Sequence, residues 1–255
     1  MMTRKTLLIV FIICGSLFIT FIDGFSQTVK ILYIKGKVYV KKEEKLQKAQ
    51  LNMLLDTNTQ VITREDSLCI LAIDKQARNT LTIKEKSSVL LEKISPFKAK
   101  LDKGRVFSVI KKISKGEKFI VRTPVVVSGA RGTGWSVEFN GGRSILKCFE
   151  GQIFVNTPFY EGILTQSNAL EFDEKGAIFR KFKITDTDMK EWQEILDEVS
   201  FAIERFESSF LKESENFYKR KENYRETVER MRREDRERIE RDRRTREGEH
   251  YYYNP

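Results

Sequence analysis

From Val29 to Lys183 apolar residues alternate with polar ones in short runs, and no sustained 3.6-residue period appears. Ile31 and Tyr33 alternate ahead of Gly36, and Val38 and Val40 alternate after it. Leu81 and Ile83 repeat the spacing, and so do Trp135, Val137 and Phe139. Period-two spacing bounded by polar turns predicts half-buried strands. The candidates recur roughly every 8–12 residues, which predicts an all-β sandwich or β-roll-like domain of short strands. Lys41 to Gln50 reads as a loop or meander, and residues 168–172 and 177–179 as a late strand pair. The densest stretch runs from Phe119 to Val155. There the run Val125-Val126-Val127 is expected to end at a tight segment, Ser128 to Gly134, before alternation resumes at Trp135 and turns at Gly141-Gly142.

A short phrase occurs three times: Gly36-Lys37-Val38-Tyr39, Gly104-Arg105-Val106-Phe107 and Gly151-Gln152-Ile153-Phe154. Each reads as a turn glycine feeding a strand whose β-branched residue faces the core and whose aromatic faces the other way. The copies are unequally spaced, so they are reused strand grammar and not a solenoid repeat.

The pattern changes near residue 185. Thr185 stands three before Asp188, the spacing of a reciprocal helix cap. Trp192, Leu196, Val199, Ile203, Phe206 and Phe210 then alternate spacings of four and three, and Phe217, Tyr224 and Met231 follow at sevens. That is a heptad-like stripe on a long helix. Beyond Phe217 the seam turns polar, and support comes from pairs such as Glu229 with Arg233 and Glu237 with Arg241. Gly248 is the expected stop. The stripe wants a covering surface, either the β domain or a second copy dimerising through Trp192, Leu196, Val199, Ile203, Phe206 and Phe210.

At the other end, Arg4 and Lys5 precede an apolar run from Leu7 to Ile22, and Gly24 and Ser26 lie just before Gln27. This is the plan of a secretory signal peptide, with retention as an inner-membrane anchor the alternative. The expected organisation is therefore a leader or anchor at 1–26, a β domain with its C-terminal extension at 27–184, a helix at 185–248 and a disordered tail at 249–255. The chain is expected in the periplasm or outside the cell. Beyond the leader only Cys69 and Cys148 remain, both within apolar strand-like segments, too few for a disulfide framework. A pair of buried thiols or a single bridge both fit.

The net charge of +10 is unevenly placed. Residues 186–255 hold 16 Lys/Arg against 20 Asp/Glu, which leaves the segment 27–185 at +13. With a leader present, the excess reads first as a lysine-rich soluble surface; the candidate acidic partners are an anionic envelope polymer (glycan or lipid) or the acidic part of the protein's own tail, and not nucleic acid. The arginine-rich end at 230–246 is largely cancelled by interspersed acids.

Candidate chemistry is sparse. His250 is the only histidine, which excludes a His-based triad or His metal site. The glycines at 129, 132 and 134 lack the Lys-Ser/Thr of a phosphate loop. Ser144 and Lys147 stand at a spacing that tends to put them on opposite strand faces. No catalytic, cofactor-binding or metal-binding residue is assigned, no cofactor is expected, and the chain reads as non-enzymatic. Arg131, in its glycine-flanked turn, reads as a turn-locking side chain or as an anion contact.

The order Gly36-x-Val38-x-Val40, Asp66-Ser67, Leu101-Asp102-Lys103-Gly104-Arg105-Val106-Phe107, Val121-Arg122-Thr123-Pro124, Gly129-Ala130-Arg131-Gly132-Thr133 and Gly151-x-Ile153-x-Val155 resembles the periplasmic domain of the FecR family, over about residues 29–155. The resemblance implies an all-β periplasmic domain and, in the members that gave the family its name, signalling from an outer-membrane receptor to a sigma factor. Only Met1 to Lys5 precede the apolar leader, so the sigma-factor-binding segment is not expected here, and the charged helix replaces the receptor-contact part. Gly134 stands where the family carries an acidic residue, which predicts a looser turn or a lost contact. Three readings follow: a structural or protein-interaction module of the cell envelope, a regulatory sensor in transmembrane signalling, or a binder of anionic glycan or lipid.

Overall fold

The computed structural model describes residues 29–111, 118–130 and 132–250, with side chains at all of these except 210, 213 and 241–250. The leader region and Arg131 lie outside the described residues. The first strands are β1 (Val29–Lys35), β2 (Val38–Lys42), β3 (Lys45–Lys48), β4 (Leu54–Leu55), β5 (Thr59–Thr63), β6 (Leu68–Ala72), β7 (Asn79–Ile83) and β8 (Ser88–Lys93). The long strand β9 (Lys98–Ile110) sits at the middle of the order. After it come β10 (Phe119–Arg122), β11 (Val127–Ala130), β12 (Gly134–Asn140), β13 (Arg143–Glu150), β14 (Gln152–Thr157), β15 (Tyr160–Thr165), β16 (Asn168–Phe172) and β17 (Ile178–Lys183). Among the described residues one helix, α1 (Asp186–His250), follows the strands. It continues two residues beyond the Gly248 stop.

The strands form two face-to-face sheets that share β9. In the first sheet the order is β4-β1-β6-β7-β9-β12-β13-β16-β17, antiparallel throughout. In the second it is β3-β2-β5-β8-β9-β10-β11-β14-β15, antiparallel except for the β9–β10 pair. The start of β9 (Lys98 to Lys103) pairs in the second sheet, and its end, from Gly104, pairs in the first. Chain before β9 and chain after it each supply four strands to each sheet. This is the sandwich or roll of short strands that the spacing predicts.

The reused phrase marks sites where strands turn sharply. Gly36 and Gly104 both have left-handed backbone, φ 73° and 94°, which a side chain rarely adopts. Each is pressed by a serine from a neighbouring turn. Ser67 Oγ accepts the Lys37 N–H at 2.8 Å and donates to Glu65 O, while Ser87 Oγ accepts the Arg105 N–H at 3.0 Å and donates to Glu85 O. At Gly151 a threonine, Thr133, occupies the serine's place. Val38, Val106 and Ile153 all face the inter-sheet core, as the alternation requires.

Between the sheets lie Ile31, Val61, Leu71, Leu91, Leu101, Phe119, Trp135 and Leu146 among others, all buried. Cys69 and Cys148 are free, buried thiols in this layer. Burial pushes the Cys69 thiol up to about 12 and the Cys148 thiol up to about 11. Both are therefore inert at neutral pH. Strands β6 and β7 are buried at every position because both faces of their sheet are covered.

One local expectation is corrected. Of the β-branched run 125–127 only Val127 is in a strand: Val125 and Val126 lie in a turn, and β11 continues through Ser128, Gly129 and Ala130, residues expected to be a tight segment. Thr123 explains the shift. Its Oγ1 accepts the N–H groups of Val125 and Val126, and its own N–H reaches Val126 O at 2.8 Å, so the chain reverses there.

Candidate interaction surfaces

The outer faces of the two sheets differ. On the first sheet, Leu32, Leu68, Ile70, Ala72, Phe107, Val109 and Phe149 form an apolar floor, and α1 lies across it. Thr185 caps the helix as its spacing predicts: Asp188 N–H donates to Thr185 Oγ1 at 3.2 Å, and Thr185 N–H donates back to Asp188 at 3.0 Å. The helix then crosses the strands from the β13 side to β1, with Trp192, Ile195, Val199 and Ala202 buried and Leu196, Ile203 and Phe206 half-buried. Fully burying an aliphatic side chain of this kind is worth about 1.5–3 kcal/mol.

Trp192 is the anchor. Its ring stacks on Phe149 at 4.8 Å and 4°, and lies 6.2 Å from Phe107. Beneath it is Gly134, where an added Cβ would run into Cζ2 and Cη2 of the indole. Gly134 is thus the seat of the tryptophan, within β12 and not in the looser turn expected from sequence. The indole N–H donates to Glu150 Oε1 at 3.3 Å.

Charge pairs fix the rim of this seam. Arg105 holds Glu191 with two hydrogen bonds, at 2.9 and 2.7 Å, and Lys84 lies 3.8 Å from the same carboxylate. Lys147 donates to Asp188 at 2.7 Å. Burial pushes the Asp188 carboxyl up, but the Lys147 ammonium and the Thr185 N–H and hydroxyl outweigh it and hold the group below the usual carboxylate range. Lys147 and Ser144 do face opposite ways: Ser144 is buried and hydrogen-bonded to Thr123 Oγ1 at 2.8 Å. At the far end Lys30 Nζ sits 4.7 Å from the Phe206 ring centre, and Tyr33 meets Phe201 edge-on.

Among the described residues no helix lies on the outer face of the second sheet. Register places Leu46, Lys41, Gln60, Leu90, Lys100, Arg122, Val127, Asn156 and Glu161 in one outward row across it. A second row holds Ile120, Phe154 and the exposed Ile163. Many of its cations already have carboxylate partners. Arg122 grips Glu92 through Nε, at 2.8 and 3.0 Å, and through Nη2; Lys98 is 3.6 Å from Glu92, and Lys100 is 2.7 Å from Asp102. The Arg122 hydrogen bonds hold Glu92 below the ordinary carboxylate range.

Of the six residues expected to mediate self-association, five are used against the protein's own sheet, and Phe210 lies outside the described side chains. Among the described residues no cluster of His, Cys, Asp and Glu could hold a metal ion, and no helix is long and apolar enough to cross a membrane.

Comparison with known proteins finds similarity over part of the chain. The FecR protein family model matches residues 59–154, within the stretch that carries the sequence resemblance. No curated protein matches the chain. Two crystal structures of a protein described as an anti-sigma-factor candidate from Parabacteroides distasonis ATCC 8503 are similar to it at 14% identity and a TM-score of 0.45. Each similarity covers 52% of this chain, and 64% and 63% of the respective solved chains, less than two thirds of their length.

Proposed function

We propose that this is a non-enzymatic exported protein of the cell envelope, whose FecR-like β domain is a protein-interaction module that binds through the open face of its second sheet. The asymmetry of the two faces carries this reading. The first sheet's face is filled by the chain's own helix, whereas the second presents Leu46, Leu90, Ile120, Phe154 and Ile163 among charged side chains. The neutralisation of Lys98, Lys100 and Arg122 by Glu92 and Asp102 favours a protein over a polyanion, despite the domain's excess charge.

The test is a photo-crosslinking residue placed in living cells at Leu90 or Ile163, with Glu194 on the helix as control. A discrete crosslinked protein from the sheet positions alone supports the reading, and equal or absent crosslinking at all three overturns it. Mass spectrometry of the native N-terminus, with cell fractionation, decides the location. A cleaved leader and a periplasmic or extracellular protein are expected, and an uncleaved leader in the inner membrane would favour the regulatory sensor instead.

A further inference from the structure

Beyond Phe206 the helix leaves the sheet and continues as an arm, residues 207–250, about 66 Å long at 1.5 Å per residue. Two heptad series run along the helix sequence. One is Leu196, Ile203, Phe210, Phe217, Tyr224 and Met231, apolar as far as Met231 and polar beyond it at Arg238 and Thr245. The other begins Trp192, Val199, Phe206 and turns polar once the sheet ends: Glu213, Arg220, Thr227, Glu234, Arg241. As far as Met231 the arm therefore continues the established seam with one apolar row and one charged row. Phe217, Tyr224 and Met231 are each more than half exposed.

The charged row reads as its own complement when reversed. About Thr227, Arg220 mirrors Glu234 and Glu213 mirrors Arg241. We propose that the arm pairs with the arm of a second copy in antiparallel orientation, with the two-fold axis at Thr227 and the β domains at opposite ends of the rod. In that register every charge of the row meets its opposite, Arg225 comes level with Glu229, and Tyr224 packs beside Met231 of the other copy. A parallel pair in register would set Arg220 on Arg220 and Glu234 on Glu234, which is repulsive at core positions. The pairing leaves the open sheet face free, so it stands independently of what that face binds.

The test is sedimentation equilibrium of the whole protein and of charge variants. The wild type should be a dimer, Arg220→Glu a monomer, and Arg220→Glu with Glu234→Arg a dimer again. A monomeric wild type, or a double variant that stays monomeric, overturns the proposal. Orientation is read by oxidative crosslinking, since Cys69 and Cys148 are buried and unreactive. Thr227→Cys should link to itself, whereas Arg220→Cys should link only when mixed with Glu234→Cys. Self-linking of Arg220→Cys would mean a parallel pair and overturn it.

Discussion

The two parts of α1 share one stripe and differ in what the stripe meets. Up to Phe206 the helix is held by a tryptophan seated on a glycine, by three aromatic rings in contact and by ion pairs at the rim. Past it the same face carries Phe217, Tyr224 and Met231 into solvent, and helicity rests on propensity and local charge pairs worth about 0.2–0.5 kcal/mol each. A heptad pattern alone therefore does not say whether a helix docks or waits; the second row of the seam does. It is Trp, Val and Phe over the sheet, and Glu, Arg and Thr beyond it.

The sharpest way to break this contrast is Trp192→Ala. It should cost about 3–5 kcal/mol, as for large aromatic truncations. Protease cleavage within residues 186–206 should appear before the β domain melts. Gly134→Ala should undock the helix at a cost of about 1–3 kcal/mol by overpacking. Combined with Trp192→Ala it should add little, and full additivity in thermal melts would show that the two residues are not in contact. Arg105→Gln should cost about 1.5 kcal/mol, the scale of a hydrogen bond to a charged group.

Acid should loosen the docked part as well. Asp188 has a depressed folded value, so its contribution is present above the ordinary carboxylate value of about 3.9 and is lost as pH falls through the lower folded value. Tryptophan fluorescence should report this release below about pH 4, and Asp188→Asn should abolish that pH dependence. Smallest of all, Leu211→Ser on the arm should leave the β domain's melting within about 0.5 kcal/mol of wild type.

Much of this was legible from residue order. Period-two runs gave the all-β sandwich, and Thr185 with Asp188 gave the start of the helix. The glycine phrases at Gly36 and Gly151 gave strand starts, whereas Gly104 lies inside β9, and all three gave the direction of Val38, Val106 and Ile153. Partnering was not legible. Nothing local in Lys98 to Ile110 says that one strand belongs to two sheets, because that depends on β8 and β10 at one end and β7 and β12 at the other. The run at 125–127 misled because a β-branched run signals extended backbone, while the turn is set by the hydroxyl of Thr123. Nor could Gly134 be matched to Trp192, 58 positions away, from spacing alone.

That contact has a consequence for the history of the fold. A glycine that must stay bare under an indole ties two distant positions together as one inherited character. Relatives that carry the same crossing helix should keep glycine at the position of Gly134 whenever they keep tryptophan at that of Trp192. Relatives with an acidic side chain there should lack the tryptophan, and with it this way of sealing the sheet. An alignment in which the two positions vary freely would show that the helix can be seated by other means.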